Sequence, residues 1–250
     1  MISTDAAAGI CRPILPWKQR TALRIFVGYD GREQQAFDVA ARSARVYGRE
    51  IVPLHVDRLR AAGLFSRPTD TRDGMFDFIS ARYQSTEFAI SRFWVPLLAH
   101  SGWALFTDCD VVFMSDPLQL LDYADPAKAV HVVKHALPDR GEVGTKMDGQ
   151  LQIPYARKNW SSVCLWNCEH PANRRLNLGM LNSWHRDDLH GFRWLHDEEI
   201  GELPPSANWL VGVEPKPTNP VIAHFTLGGP WLPDHEPTEY DDIWKRASQR

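Results

Sequence analysis

Short apolar blocks punctuate the chain and set its elements. Leu23-Arg24-Ile25-Phe26-Val27-Gly28-Tyr29 reads as a buried strand. The turn Asp30-Gly31-Arg32-Glu33 closes it, with the spacing of a capping box. Ala36, Phe37, Ala40, Ala41 and Ala44 then share one helical face, and Gly48 ends that helix. Ile51 to Val56 predicts a second strand. Strand, helix and strand in this order imply a parallel pair with a right-handed crossover. Residues 58–85 are polar and irregular, and predict a loop with a short helix.

Ile90, Phe93, Trp94, Leu97 and Leu98 recur at helical spacing between Thr86 and His100. Pro96 must kink or break that helix. Arg92 falls off its apolar stripe, the position of a solvated charge or of a group kept for a ligand. Trp103 to Thr107 predicts another buried strand, followed by the short apolar run Val111-Val112-Phe113 and by Asp116-Pro117. Further strands are expected at Ala129 to Val133, Ser162 to Trp166 and Val221 to Phe225, and a helix at Arg174 to Trp184. Residues 137–160 are rich in Gly, Pro, Lys and Arg and read as a mobile active-site loop, in which Lys146, Arg157 and Lys158 are solvated charges. The pattern is that of an α/β chain with a mostly parallel sheet flanked by helices. Residues 1–21 read as a loose leader before a single domain over residues 22–250.

Composition narrows the function. The chain has 250 residues, 44% hydrophobic and 24% charged, which fits one soluble α/β domain. A net charge of −3 gives no electrostatic reason to expect a nucleic acid partner. No apolar stretch approaches the roughly 18 residues of a membrane helix. Met1 to Arg20 lacks the apolar core of a signal peptide. Cys11, Cys109, Cys164 and Cys168 match no zinc spacing. They are expected to be reduced, as in a cytoplasmic protein. Ten Trp residues exceed what core filling asks for and suit a site that stacks on flat ligands.

The chemistry concentrates in Asp108-Cys109-Asp110, at the end of the strand Trp103 to Thr107. Alternation puts both carboxylates on one face and Cys109 on the other. At the carboxyl end of a sheet strand they enter the crevice where open α/β folds bind ligands. Two such carboxylates need a cation between them or a proton on one. A hard divalent metal is the simplest resident, and it would hold a phosphorylated substrate. His224 ends a later strand, and an imidazole beside two carboxylates moves the preference from Mg²⁺ towards Mn²⁺. Gly228 and Gly229 would let backbone N–H groups approach a phosphate. Asp197-Glu198-Glu199 is either a solvated helix start or a carboxylate set that stabilises positive charge on a sugar.

Val27-Gly28-Tyr29-Asp30, Ser91-Arg92-Phe93, Phe106-Thr107-Asp108-Cys109-Asp110, Trp194 to Ile200, and His224-Phe225 with Pro230-Trp231 occur in this order. Together they resemble the retaining glycosyltransferases of family 8, which have the GT-A fold, in a distant bacterial-type branch. The resemblance implies a metal-dependent transferase acting on a nucleotide-sugar donor, most often a uridine diphosphate sugar, and a carbohydrate or glycoconjugate acceptor. It implies Asp108, Asp110 and His224 as ligands of Mn²⁺, with Mg²⁺ the alternative, and Cys109 between the two acids at the donor site. It implies Val27, Gly28, Tyr29 and Asp30 near the nucleoside, Arg92 near the donor, and Asp197 and Glu198 near the reacting sugar. Asp30 also fits a helix N-cap.

The departures are specific. The family's His-x-x-Gly-x-x-Lys-Pro-Trp is shortened to His224-Phe-Thr-Leu-Gly-Gly-Pro-Trp231, which lacks the phosphate-binding Lys. Trp160-Ser161-Ser162 replaces a Phe-Asn lead-in, and Glu198 stands where Gln is usual. Two rival readings follow. Asp108-Cys109-Asp110-Val111-Val112 also fits the opening motif of haloacid-dehalogenase-type phosphatases, whose first Asp is a nucleophile. That fold normally carries the motif on its first strand. A transferase fold that binds nucleotide or sugar without turnover is the other.

Overall fold

A computed structural model describes residues 23–70, 75–135, 157 and 159–249, with the backbone alone at 144–145 and 151–152. The expected leader and most of the expected loop at 137–160 lie outside these residues. The first strand, β1 (Arg24–Gly28), buries every residue after Arg24. The turn at Asp30 leads into α1 (Gln34–Arg45), whose face of Ala36, Val39, Ala40, Ala41 and Ala44 is buried. β2 (Ile51–Leu54) then pairs parallel with β1. It is shorter than the expected Ile51 to Val56, because Val56 opens a short helix, α2 (Val56–Ala61).

Between α2 and residue 85 the chain forms a small antiparallel sheet of two-residue strands, β3 (Thr69–Asp70), β4 (Phe76–Asp77) and β5 (Arg82–Tyr83). The expected loop is therefore partly paired. The long helix expected over Thr86 to His100 is instead a 3₁₀ turn, Ser91–Trp94, and a short helix, α3 (Val95–Ala99). Pro96 sits in the first turn of α3, where its missing N–H costs nothing.

β6 (Trp103–Thr107) is wholly buried and lies parallel to β1, with Phe26 beside Phe106 and Val27 beside Thr107. β7 (Val111–Phe113) leaves this sheet for another. β8 (Val130–Val132) returns to the first sheet. A two-residue pair, β9 (Gly144–Thr145) and β10 (Leu151–Gln152), follows it. β11 (Val163–Asn167) then inserts between β6 and β8, antiparallel to both. The helix expected over Arg174 to Trp184 is divided between a 3₁₀ turn, Pro171–Arg175, and α4 (Leu178–Ser183). The side chain of Asn177 caps α4 by accepting from the N–H of Met180. α5 (Arg186–His190) leads to β12 (Ile200–Glu202), which pairs parallel with β8.

The main sheet has the order β12-β8-β11-β6-β1-β2, mostly parallel, with β11 the antiparallel member. A second sheet contains β13 (Trp209–Leu210), β14 (Ile222–His224) and β7. α1 packs on β7 and on the last helix, α6 (Asp241–Ser248), and so ties the two sheets together. The core buries Phe93, Trp94, Phe106, Leu105, Trp166 and Phe192 among others. Among the described residues no helix is long and apolar enough to cross a membrane.

Candidate metal centre and donor site

Asp108, Cys109 and Asp110 form the crossing between the two sheets. β6 ends at Thr107, and β7 begins at Val111 in the second sheet. Pairing then fixes the geometry. The N–H of Asp108 donates to the carbonyl of Ser162 at 3.0 Å, just before β11. The N–H of Phe225 donates to the carbonyl of Asp110 at 2.9 Å, and His224 is the strand partner of Val111. Residues more than a hundred positions apart thereby converge. One ligand atom from each of Asp108, Asp110 and His224 lies within 4.8 Å of the others. Nε2 of His224 stands 3.2 Å from Oδ1 of Asp110. The imidazole is buried, while the two carboxylates keep 17% and 14% of their surface open, so the oxygens face a crevice.

Cys109 points the other way and is buried. Its thiol donates to Oε2 of Glu33 at 2.9 Å. Burial pushes this thiol well above the usual range, and the charges of Glu33 and Asp110 add to the effect. Cys109 is thus an inert thiol on the core side of the motif. Cys164 and Cys168 are also buried free thiols. Burial pushes Cys168 up to about 12.

Arg92 is not a solvated charge on a helix stripe. The 3₁₀ turn buries it, and Phe88 and Phe106 flank its guanidinium at 5.5 and 5.1 Å. Its Nη1 lies 2.8 Å from Oδ1 of Asp108 and donates to the carbonyl of Ser161 at 2.9 Å. Nε donates to the carbonyl of Ala89. Arg92 therefore holds Asp108 from behind. Ser161 continues inward, its hydroxyl 2.7 Å from Nδ1 of the buried His190. Burial holds His190 well below the ordinary histidine range, and nearby Arg92 and Arg186 add to this.

The first strand ends as expected in the same crevice. Val27 is buried, and Gly28 is required there: a Cβ would lie 2.3 Å from the Phe88 ring. The Tyr29 ring meets His55 at an interplanar angle of 45° with centroids 3.9 Å apart, and its hydroxyl donates to Gln34. Asp30 is fully buried as the cap of the following turn. Arg32 donates to both its oxygens and the N–H of Glu87 to one of them. Burial alone would raise the pKa of Asp30, but Arg32 and these amides hold it below the usual carboxylate range. The cap reading describes Asp30, and its carboxylate is spent on it.

Asp197 and Glu198 are not members of the cluster formed by Asp108, Asp110 and His224. They lie in a 3₁₀ turn immediately before β12. β12 runs in the same direction as β6, because β8 and β6 both run opposite to β11. Ile200 therefore enters β12 at the end opposite to the exit of β6, while the side chain of Asp197 reaches Arg157, whose guanidinium lies over the Trp160 ring beside Ser161 and Ser162. The carbonyl of Glu198 accepts from Nζ of Lys128, and that of Glu199 from the N–H of Ala129, both at the entry to β8. Asp197 is 85% exposed and pairs with Arg157. Glu199 accepts from the N–H of His196 and from Arg175.

Gly228 has a φ of +101°, which favours glycine. Gly229 is packed so closely that a Cβ would lie 2.2 Å from the Trp231 ring. Beside Gly228 opens a cavity of about 460 Å³, lined by Val211, Phe225, Leu227, Asp234 and Tyr240 among others. Phe225 directly follows His224 in the chain, and none of Asp108, Asp110 and His224 lines this cavity. Sequence reasoning missed four buried or half-buried polar groups behind His224. Nδ1 of His224 is 2.9 Å from Oδ1 of Asn208. Nδ2 of Asn208 is 2.9 Å from both Nε2 of His135 and Oγ of Ser162. Nδ1 of His135 is 2.8 Å from Oε1 of Glu214. Lone polar residues in apolar stretches were the available signal.

The chain is 39% identical over 235 residues to Protein CDI of Arabidopsis thaliana, covering 90% of this chain and 86% of that protein. It belongs to the family of Protein CDI. No family model matches the chain. Members of this family have known structural counterparts at much lower identity. The chain superposes on the galactosyltransferase LgtC, solved with donor and acceptor sugar analogs, with a TM-score of 0.54 and 15% identity, over 91% of this chain and 95% of that one. For the glycosyltransferase GlyE of Streptococcus pneumoniae the TM-score is 0.58 and the identity 10%, over 92% and 61% of the chains. For the bifunctional glycosyltransferase WbbM the values are 0.57 and 12%, and this chain spans about half (49%) of that one. The chain thus has a mixed α/β GT-A fold, as the order of motifs implied.

Proposed function

We propose that this protein is a metal-dependent glycosyltransferase. It moves a sugar from a nucleotide diphosphate donor, a uridine diphosphate sugar, to a carbohydrate or glycoconjugate acceptor with retention of configuration. The observation that carries this reading is the convergence of Asp108, Asp110 and His224 at the exit edge of the sheet. Two carboxylate oxygens and an imidazole nitrogen fit a divalent transition metal such as Mn²⁺ better than Mg²⁺. When bound there, such an ion neutralises charge on a leaving diphosphate, worth several kcal/mol of barrier. The GT-A fold that the chain shares with solved glycosyltransferases supports the same reading.

The chain's own residues have distinct tasks. Arg92 fixes the Asp108 carboxylate from behind and reduces the repulsion between the two acids. Tyr29 and His55 form an aromatic surface at the ends of β1 and β2, suited to a base. Gly228 and Gly229 bring backbone to the rim, where an N–H group can meet phosphate in place of the absent Lys. Asp197 and Glu198 take no part in this assignment. The phosphatase alternative is not favoured: Asp110 is built into a site with His224, and the motif follows the third strand of the main sheet to enter it. A thermal-shift screen of nucleotide sugars with and without Mn²⁺ tests the reading. A ligand at about 100 times its Kd adds roughly 2.7 kcal/mol of stability. Uridine diphosphate sugars should stabilise only with Mn²⁺, and NMR of the product should show the donor's anomeric configuration. Stabilisation by guanosine diphosphate sugars alone would reject the donor, and inversion would reject the mechanism.

A further inference from the structure

We propose that Asn208 is a positioning residue that sets the tautomer of His224 and so aims a bare Nε2 at the metal position. The inference rests on the metal reading above, but its logic comes from counting protons behind the triad. The hydroxyl of Ser162 has one proton, and it donates that proton to the carbonyl of Asn159 at 2.7 Å. That carbonyl can only accept. The Ser162 oxygen, 2.9 Å from the Asn208 amide, must therefore accept from it. The group of Asn208 facing Ser162 is thus its NH₂, and the group facing His224 is its carbonyl oxygen.

The rest follows from this one assignment. A carbonyl oxygen 2.9 Å from Nδ1 of His224 needs a proton on Nδ1. Neutral His224 then carries its lone pair on Nε2, the atom beside Asp110. The second N–H of Asn208 faces Nε2 of His135, which must be bare to accept it. His135 therefore keeps its proton on Nδ1 and donates it to Glu214. Asn208 is fully buried, so it cannot exchange these partners for water. Glu214, His135, Asn208 and His224 form a directional chain of donors and acceptors that ends in a metal-ready nitrogen. Metal-binding imidazoles commonly have their other nitrogen fixed in this way, and removal of such a partner typically costs 10- to 100-fold in metal affinity.

The test has two readouts. Nitrogen-15 NMR of the metal-free protein reports which imidazole nitrogen of His224 carries a proton. The expected result is a protonated Nδ1, in the neutral or the cationic ring. A bare Nδ1 with the proton on Nε2 would overturn the inference, whether or not metal binds. Calorimetry with Mn²⁺ alone then compares Asn208→Leu with Asn208→Asp. The first removes the acceptor and should weaken binding 10- to 100-fold. The second keeps an oxygen facing Nδ1 and should retain affinity, which separates positioning from general damage to the fold. Equal Mn²⁺ affinity in wild type and Asn208→Leu would overturn the positioning role. Failure of the wild type to bind Mn²⁺ at all would instead remove the metal reading, and the NMR result would still decide the tautomer.

Discussion

Two acidic clusters in this chain look alike on paper and differ in the folded molecule. Asp108 and Asp110 sit where β6 ends, between two sheets, with Arg92 behind one and His224 beside the other. Asp197, Glu198 and Glu199 sit in the turn where β12 begins, outside that cluster. There Asp197 pairs with Arg157 at the surface, and Glu199 is tied to His196 and Arg175. The first cluster has carboxylates held by buried groups and directed into a crevice. The second serves its own turn. The lesson is that surrounding groups, more than acidity, decide which carboxylates form a site.

The buried arginine gives the sharpest contrast. Arg92→Leu leaves Asp108 without its largely buried ion pair, and breaking a buried pair costs about 3–5 kcal/mol. Thermal or urea unfolding should show that loss, together with weaker Mn²⁺ binding. A loss below about 1 kcal/mol would mean that Asp108 is held by its backbone alone.

Acid separates the clusters next. His190 lies behind Ser161 and Arg92 and has a depressed folded pKa. The unfolded chain therefore takes up its proton first. Stability is complete above the unfolded value of about 6.5 and is lost as pH falls below it towards the folded value. One unit below that point the loss is about 1.4 kcal/mol at most. Melting curves between pH 7.5 and 5.5 should show the fall, and His190→Gln should flatten it. An unchanged slope in the variant would assign the acid sensitivity elsewhere.

The surface pair in the other cluster should matter less. Asp197→Asn removes the charge of the exposed partner from the pair with Arg157, and pairs with one exposed partner contribute about 0–1 kcal/mol. Smallest of all is the effect of Glu198→Gln. It should change kcat less than about twofold, since a tenfold change needs 1.4 kcal/mol in the transition state. A tenfold loss would bring Glu198 back to the reacting sugar and break the comparison.

Much of the architecture was legible because burial leaves marks. β1, β6 and β11 are nearly continuous apolar runs, and period-two alternation placed Asp108 and Asp110 opposite Cys109. His224 was legible as the polar end of an apolar strand. Other positions were less legible. Arg92 left two readings open, a solvated charge or a group kept for a ligand, because the groups that make its burial possible, Asp108 and Ser161, are far away in sequence. Asp197 and Glu198 were assigned to the site by the resemblance alone, and they lie in the turn before β12 with Asp197 largely exposed. Asn208 carries no periodic signature, and its role appears only when Ser162, His135 and His224 close around it. The two-residue strands between 69 and 83 are too short for a pattern to register.

The central claim is that Asp108, Asp110 and His224 form the metal centre on which donor binding depends. Calorimetric titration of uridine diphosphate, with and without Mn²⁺, into the wild type, Asp110→Asn and Glu198→Gln tests it most directly. The account predicts Mn²⁺-dependent binding in the wild type, its loss by about a hundredfold in Asp110→Asn, equivalent to roughly 2.7 kcal/mol, and unchanged binding in Glu198→Gln. Equal Mn²⁺-dependent binding in the wild type and Asp110→Asn would contradict it.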